Sequence, residues 1–272
     1  MICLTGDVHQ DSMRSLHHRY IRESEPGLAI QYAEIAAAHG IKVTLFVTGR
    51  SCVEHRREIA KLAQLGNVEI GGHTWNGLRP RALHRLFSTL WGSRYGPSFY
   101  QRSDIRRTLD AIENVSGNRP VCWRTHGYMS DHNTAALLQE MGIHVLSDTV
   151  QIGAIGPHRS DGPLALLPIS VWTDHEHIYH AERTPEHVAG QLSRSKIDLS
   201  SVSVAEWTEL VKQQVIDIIR RGGTATLLVH PVCMKIADDF QSFTSLCEFL
   251  SDFESIWARD CLGSIPSEVI SR

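Results

Sequence analysis

Short apolar runs alternate with amphipathic segments from the first residue to the last. The run at 41–47 (IKVTLFV) is short and rich in β-branched residues, which predicts a buried strand. The segment at 52–65 is amphipathic and stops at Gly66-Asn67, which predicts a helix. By the same criteria we expect strands at 1–5, 41–47, 68–70, 120–123, 143–146, 164–172 and 224–229, helices at 27–39, 52–65, 103–115, 131–141, 203–221 and 240–259, and loops at 76–100 and 149–162.

This order of elements predicts the fold class. Strand alternating with helix about seven times indicates an α/β protein with a mostly parallel sheet and helices outside it. The 272 residues suit one large domain, because single α/β barrels often reach this size. The sequence has no repeat of fixed period and no long linker, so we expect a single domain over 1–272.

Polar residues with catalytic or ligating side chains come directly after one predicted strand after another. In parallel α/β barrels the carboxyl ends of the strands meet on one face, and active sites are built there. Turn chemistry accounts for Gly, Asn, Ser or Asp at such positions but less readily for repeated histidine. We therefore expect these residues to share one pocket: Asp7, His9, His73, Arg124, His126, Asp148, Asp174, His175 and His230.

Several of these positions have a functional and a structural interpretation. Asp7 and His9 are two apart on an extended segment and so point to the same side, which suits a zinc-type ion or a ligand beside a base. The alternative is a capped turn with an incidental histidine. His73 follows two glycines, which let the backbone approach a ligand closely. His230 suits a general acid or base, or is a satisfied buried histidine. Arg124 either orients a catalytic carboxylate or forms a structural ion pair.

Aromatic residues accompany the same strand ends. Trp75, Trp123, Trp172 and Tyr128 lie beside the polar positions along the chain. Aromatic faces near a polar pocket can stack on sugar rings, and they serve at least as often in core or rim packing. Trp75 and Tyr128 are therefore candidates for substrate contact.

Composition narrows the class of protein. The net charge of −3 and the pI of about 6.6 give no basic excess of the kind a nucleic-acid-binding protein has. The sequence has no run of 18 apolar residues, so we expect no transmembrane segment. Its first residues lack the basic start and apolar core of a signal peptide. The six cysteines are scattered without CxxC spacing, which favours free thiols in a reducing compartment. We expect a cytoplasmic protein. Sixteen histidines, well above ordinary usage, favour metal or acid–base chemistry.

The ordered set of motifs resembles the polysaccharide deacetylase (NodB-homology) family, the carbohydrate esterase family 4 type. Five segments follow the family's motifs in the right order within 1–235, and 236–272 would be a C-terminal helical segment. They are Thr5-Gly6-Asp7-Val8-His9, Phe46-Val47-Thr48-Gly49, Val68-Glu69-Ile70-Gly71-Gly72-His73-Thr74-Trp75, Trp123-Arg124-Thr125-His126-Gly127 and Leu228-Val229-His230-Pro231.

The resemblance implies a distorted (β/α) barrel of about seven strands and a role for each motif residue. Asp7 would be the general base for the attacking water, held by Arg124. His9 and His73 would be metal ligands, His9 in place of the usual second aspartate. His230 would be the general acid that protonates the leaving amine. Tyr128 would lie near a backbone N–H that holds the oxyanion. The cofactor implied is a divalent metal ion, most simply Zn²⁺.

Two departures from the family pattern concern the metal. The family's second motif has another histidine four residues after the first, and here that position is Gly77. The arginine motif has proline where His126 stands. Three hypotheses follow: His126 or His175 replaces the missing ligand, His9 makes up for it together with Asp7, or metal binding is weak or lost.

The activity expected is hydrolysis of an N-acetyl or similar N-acyl amide of an aminosugar or an aminosugar-containing precursor. The Asp-Val-His spacing of the first motif resembles the Asp-x-Asp form of cytoplasmic lipid-aminosugar deformylases, and this resemblance implies a small or lipid-linked substrate instead of an insoluble polymer. Asp148, Asp174 and His175 would contribute to substrate binding. The alternatives are a hydrolase of another C–N bond, such as a cyclic ureide or imide, and a non-catalytic carbohydrate-binding relative. Whether the chain forms a homo-oligomer is left open.

Overall fold

A single sheet of eight strands organises the molecule. The computed structural model describes residues 1–13, 16–159, 162, 164–192 and 200–264. All neighbouring strands pair in parallel except one antiparallel pair at an edge. The strands are β1 (Ile2–Val8), β2 (Val43–Val47), β3 (Val68–Gly72), β4 (Cys122–Trp123), β5 (Val145–Leu146), β6 (His158–Arg159), β7 (Ala165–Leu166) and β8 (Ala225–Leu228), in the spatial order β6-β7-β5-β4-β3-β2-β1-β8.

The sheet curls until its two sides approach each other. Ser170, four residues beyond β7, donates its backbone N–H to the carbonyl of Thr226 in β8 (3.0 Å), and the N–H of Thr226 donates to the Ser170 hydroxyl (2.8 Å). The segment after β7 thus reaches the strand at the opposite end of the sheet. The prediction of a distorted α/β barrel in a single domain is confirmed, with eight strands instead of about seven.

Helices cover the outside of this sheet. β1, β2 and β8 are buried along their whole length, and apolar side chains of the covering helices pack against them in the main core. None of the helices in the described residues is long and apolar enough to cross a bilayer. The helices are α1 (Glu25–Ala38), α2 (Gly49–Glu54), α3 (Arg56–Gln64), α4 (Arg81–Trp91), α5 (Ser98–Ser116), α6 (His132–Glu140), α7 (Asp174–His177), α8 (Pro185–Leu192), α9 (Val204–Arg220), α10 (Pro231–Asp238) and α11 (Gln241–Leu250).

The prediction of a loop over 76–100 is wrong. Helix α4 and the first turn of α5 occupy much of that segment. In α4, Phe87 is buried, whereas Leu86 and Leu90 are more than half exposed. The helical period is nevertheless present in the sequence, because apolar residues recur at 83, 86, 87, 90 and 91. The prediction of a loop missed this signal, and the exposure of Leu86 and Leu90 shows that only part of the apolar stripe faces the core.

Three other predicted elements have different bounds. The helix predicted over 52–65 is divided at His55, whose backbone is not helical, into α2 and α3. Of the strand predicted over 164–172, only Ala165–Leu166 joins the ladder, since the chain then turns to bridge β8. The helix predicted over 240–259 ends at Leu250, and a 3₁₀ helix follows at Ala258–Ser264. The end of the expected C-terminal segment, 265–272, lies outside the described residues.

Candidate active site

The carboxyl ends of four strands deliver the polar side chains to one edge of the sheet. Asp7 is the sixth residue of β1, and His9 follows the last. His73 follows β3 and Arg124 follows β4; these strands pair through Gly72 and Trp123, which brings the two residues side by side. His230 lies two residues beyond β8. Parallel pairing therefore unites residues that are more than 200 positions apart in sequence.

Three imidazoles meet at this edge. His126 Nδ1 lies 3.2 Å from His9 Nε2 and 3.2 Å from His73 Nε2. One nitrogen of each ring lies within 4.8 Å of the other two. Nitrogens bound to one tetrahedral zinc at ordinary bond lengths are about 3.3 Å apart, so the spacing matches a shared ion.

The outer nitrogens of two rings fix their tautomers. His9 Nδ1 lies 2.9 Å from the buried carboxylate of Glu25, and His73 Nδ1 lies 2.8 Å from the carbonyl oxygen of Arg124. Both partners are acceptors, so these nitrogens carry the ring hydrogens and both Nε2 atoms carry lone pairs. His126 Nδ1 has at most one hydrogen to offer two such neighbours. In at least one of the two nitrogen–nitrogen contacts, therefore, two lone pairs face each other with no hydrogen between them. A cation bound between the rings would remove this repulsion.

Burial keeps two of these imidazoles neutral. It lowers the pKa of His73 to about 4, and the carboxylate of Asp7 opposes this only in part. Burial, followed by the neighbouring rings of His9 and His73, lowers the pKa of His126 well below its usual value. Neutral imidazole is the form that ligates metals, so the donor set fits a divalent transition metal.

Arg124 is fully buried, and its guanidinium makes four hydrogen bonds. It donates to Asp7 Oδ1 (2.9 Å), to the hydroxyl of Thr5 (3.0 Å), and to the hydroxyl (2.7 Å) and carbonyl (3.0 Å) of Ser147. The guanidinium also stands over the ring of Phe46 at 4.3 Å. Such a buried cation needs its anionic partner, and here it orients the carboxylate at the centre of the site.

Asp7 lies between the histidine cluster and His230. Its Oδ2 is 3.7 Å from His73 Nε2 and 3.8 Å from His230 Nε2. Burial raises the pKa of Asp7, but His73, Arg124 and His230 together outweigh it and hold this pKa well below its usual range. The carboxylate is therefore ionised at neutral pH.

His230 is paired with a second buried carboxylate. Asp174 accepts from the His230 backbone N–H through Oδ2 (2.6 Å) and contacts Nδ1 through Oδ1 (2.7 Å). Burial lowers the pKa of His230, but the charge and hydrogen bond of Asp174 outweigh it and raise the pKa to about 9. The ring is an imidazolium at neutral pH, with its Nε2–H directed toward Asp7. Asp174 itself is fully buried, so in this structure it contacts His230 and does not face the cavity.

A cavity of about 740 Å³ opens over these groups. Tyr128 and His175, two of the predicted substrate contacts, line it. The backbone N–H of Tyr128, expected near the oxyanion, is already donated to the carbonyl of Thr125 (2.9 Å). The other lining side chains include Asp7, His9, His17, Glu25, Arg79, Arg81, His126, Glu176, His180, Glu182, Arg183, His187 and His230.

Two predicted substrate contacts lie elsewhere. Trp75 lines a separate groove between α2 and α5, where the guanidinium of Arg107 covers its ring at 3.6 Å. The structure therefore does not bring Trp75 to the cavity. Asp148 accepts from the N–H of Thr125 and leaves Oδ2 buried without a partner among the described residues. Burial raises the pKa of Asp148 to about 6.

The glycines before His73 make room for aromatic rings. A Cβ at Gly71 would lie 2.6 Å from the ring of Phe46, and one at Gly72 would overlap the ring of Trp123. The sequence interpretation, that these glycines let a ligand approach, is therefore corrected: the groups that approach are side chains of neighbouring strands. Gly77, at the position that lacks the expected second histidine, has a φ of 66°. The third imidazole beside His9 and His73 is that of His126.

Sequence reasoning missed several polar residues at or beside the cavity, of which Glu25, His17, His180 and Cys233 bear on metal binding. Glu25 begins helix α1 behind an N-cap serine, and its burial shows only in three dimensions. His17, His180 and Cys233 form a second cluster with His175. The histidine-rich run at 175–180 and the spacing of Cys233 three residues after His230 were the available signals. Burial lowers the pKa of His17 to about 3 and of His175 to about 4.

Residues 26–146, a little under half of the chain, match the family model for polysaccharide deacetylase. The resemblance to the polysaccharide deacetylases is confirmed. The family match supports a hydrolase of the deacetylase type. It includes His73, Arg124 and His126 but leaves out Asp7 and His230, whose placement beside them comes from the fold. A comparison with curated proteins gives no match.

Solved structures share the fold at low sequence identity. A protein from Mycobacterium smegmatis assigned to the polysaccharide deacetylases superposes with a TM-score of 0.70 at 18% identity, over 100% of this chain and 93% of that one. The PuuE allantoinase superposes with a TM-score of 0.64 at 13% identity, over 94% and 85%. A CE4 family pseudoenzyme from Bacillus anthracis superposes with a TM-score of 0.53 at 16% identity, over 98% and 67%. These likenesses show the fold alone.

Proposed function

We propose that the protein is a metal-dependent hydrolase that removes an N-acetyl or similar N-acyl group from an aminosugar or an aminosugar-containing precursor. One observation carries the proposal: three imidazole nitrogens converge beside an ionised carboxylate, and a protonated imidazole faces that carboxylate. A ligand cluster, a proton acceptor and a proton donor thus line one cavity, as hydrolysis of an amide requires.

His9, His73 and His126 would hold the divalent cation, for which zinc is the best match to the donors and their spacing. When bound, such an ion supplies Lewis-acid polarisation of a carbonyl and lowers the pKa of water toward neutrality. Glu25 holds His9 from behind through Nδ1 and the backbone N–H of the same residue (2.9 and 3.0 Å), and so orients the ligand.

Asp7 is the proposed general base. Arg124 occupies its Oδ1, which leaves Oδ2 on the side of His73 and His230 to accept a proton from the attacking water. His230 is the proposed general acid. Asp174 keeps its ring protonated and directs Nε2 toward the reacting group, where this nitrogen donates to the departing amine.

The cavity wall favours a small substrate or a lipid-linked one with an anionic group. A volume of about 740 Å³ suits one or two sugar rings with substituents. Arg79 and Arg81 lie close together at the wall, and burial followed by the like charge of Arg81 lowers the pKa of Arg79. Two neighbouring cations suit a phosphate or carboxylate. The six cysteines are free and buried, which supports the cytoplasm as the proposed location.

The test is a substrate panel together with matched variants. We expect turnover of N-acetyl aminosugars, with a lower KM for phosphorylated or nucleotide-linked forms, and a loss on the order of 100-fold or more in kcat for Asp7→Asn and His230→Ala. Arg79→Ala should raise KM for the anionic substrates only. Normal turnover by both Asp7→Asn and His230→Ala would overturn the proposal.

The panel also separates the alternatives. Hydrolysis of cyclic ureides or imides in place of the N-acetyl sugars would indicate another C–N bond as the target. Sugar binding without turnover, measured by calorimetry, would indicate a non-catalytic relative. The retention of Asp7, Arg124 and His230 in contact with one another favours catalysis, because a binding protein needs neither a base nor an acid.

A further inference from the structure

Three histidines on the wall of the same cavity form a second cluster of metal-ligating side chains with the buried Cys233. His17, His175, His180 and Cys233 each offer one ligand atom, and these four atoms all lie within 4.8 Å of one another. None of them belongs to the group formed by His9, His73 and His126. We propose that these four residues form a second metal site, which takes zinc or another thiophilic divalent transition metal.

The residues come from three separate segments of the chain. His17 lies in a short 3₁₀ helix, Leu16–Arg19, after β1. His175 lies in α7 and His180 three residues beyond it, whereas Cys233 lies in the first turn of α10. Only the tertiary structure brings these residues together, because more than 150 positions separate His17 from the others along the chain.

The spacing matches a tetrahedral site with one sulfur ligand. Cys233 Sγ lies 3.4 Å from His180 Nε2 and 3.7 Å from His175 Nδ1. A thiolate and an imidazole bound to one zinc at ordinary bond lengths have their donor atoms about 3.5 Å apart. The ring of His17 lies over the other two, with centroids 5.4 Å from His175 and 5.2 Å from His180.

One histidine of the cluster has its outer nitrogen anchored to the backbone. His180 Nδ1 lies 3.0 Å from the carbonyl of Ile178, so its hydrogen is directed there and its Nε2 presents a lone pair to the sulfur. Backbone anchoring of the outer nitrogen is typical of a metal-bound histidine.

The surroundings of Cys233 suit a bound cation better than a role for its sulfur as a nucleophile. Cys233 is fully buried, so a substrate has no path to its sulfur. Asp174 places a carboxylate oxygen within 4.8 Å of the sulfur, and Glu176 lines the cavity next to His175. These carboxylates would offset the charge of a divalent ion.

Cobalt substitution tests this site separately from the first one. Cobalt bound to a thiolate gives a charge-transfer band in the near ultraviolet, and a cobalt site made of imidazoles alone gives none. We expect the full chain titrated with Co²⁺ to show this band and to bind two equivalents of metal. His175→Ala and Cys233→Ala should each lose the band and one equivalent, whereas His126→Ala should lose one equivalent and keep the band.

The variants control for folding. His175 is exposed, so its replacement leaves the core intact. Cys247→Ala makes the same change as Cys233→Ala at another fully buried cysteine and should keep both the band and the second equivalent. A wild-type protein without the charge-transfer band, or a His175→Ala variant that retains it in full, would overturn the second site. A wild-type protein that shows the charge-transfer band but hydrolyses none of the substrates in the panel would instead count against the proposed function.

Discussion

At the residue scale, each reactive side chain of the candidate site is held by a second, buried side chain. Arg124 holds Asp7, Asp174 holds His230, and Glu25 holds His9. Each holding residue is itself buried, and each leaves one atom of its partner directed to the cavity. Because a buried polar group is costly without its partner, each pair fixes the orientation of the group that it supports.

The pair of Asp174 and His230 predicts a pH dependence. Activity needs protonated His230, whose pKa is raised to about 9, so kcat should fall as the pH rises through that value. Asp7 and Glu176 also raise this pKa, and the ring of His175 packs against His230. Asp174→Asn removes the largest favourable charge, so the fall should move to lower pH while the amide still accepts from the His230 N–H.

A pH–rate profile of kcat for wild type and Asp174→Asn checks this. A profile whose basic limb is unchanged in the variant would contradict the role of Asp174.

Glu25 predicts an effect on metal affinity without any direct contact to the ion. Its carboxylate holds His9 Nδ1, and loss of such an outer partner costs typically 10- to 100-fold in metal affinity. We expect Glu25→Gln to weaken Zn²⁺ binding by about this factor in a chelator competition.

Glu34→Gln provides the matched control. Glu34 lies on the same helix, but it is half exposed and pairs with Lys61 at the surface. Its replacement should leave the affinity unchanged. Equal affinities for the two variants would show that Glu25 does not orient a ligand.

At the element scale, strand packing and not ligand approach accounts for the Gly71-Gly72 pair. The ring of Phe46 occupies the space where a Cβ of residue 71 would be, and the same ring supports the guanidinium of Arg124. The glycine thus brings β2 and β3 close enough for one aromatic side chain to serve both the core and the site. A side chain here would displace that ring.

Gly71→Ala should therefore lower both stability and activity. Overpacking of a tight core costs typically 1–3 kcal/mol, and we expect a loss of that size in the free energy of unfolding by urea. Gly66→Ala, a few residues earlier, is the control, because a Cβ there meets nothing within 4 Å. If the two variants have the same stability, the explanation by ring packing is wrong.

At the scale of the whole molecule, the site joins the start, the middle and the end of the chain. Asp7 and His230 belong to neighbouring strands of the sheet, β1 and the end of β8, although 223 residues separate them. Ligands drawn from distant segments link metal binding to folding, because the unfolded chain does not hold them together.

Metal removal should therefore lower the melting temperature. We expect a chelator to lower the Tm of the wild-type protein and added Zn²⁺ to restore it. A variant that combines His126→Ala with His175→Ala lacks a ligand of each cluster and should show no such shift. A Tm of the wild type that is unaffected by either addition would argue against resident metal.

Local patterns predicted much of this fold and most of its site. The strands at β1, β2 and β8, and the helices α1, α6 and α9, have local signals: short apolar runs, and caps such as Asp131 and Ser203. Helix α4 was missed although its apolar residues follow the helical period, and much of the stripe that they form is exposed. The candidate residues at strand ends were found because a parallel barrel places every strand end on one face.

What the sequence determined by itself is the order of strands and helices and the kinds of side chain at each strand end, because both depend on neighbours in the chain. Only the tertiary structure decided which imidazoles meet. His126 joins His9 and His73, whereas His175 joins His17, His180 and Cys233. It also decided that Trp75 faces another groove and that Glu25 is buried against His9. The physical reason is that such contacts depend on how the sheet curls and how its covering helices pack, and no local period encodes either.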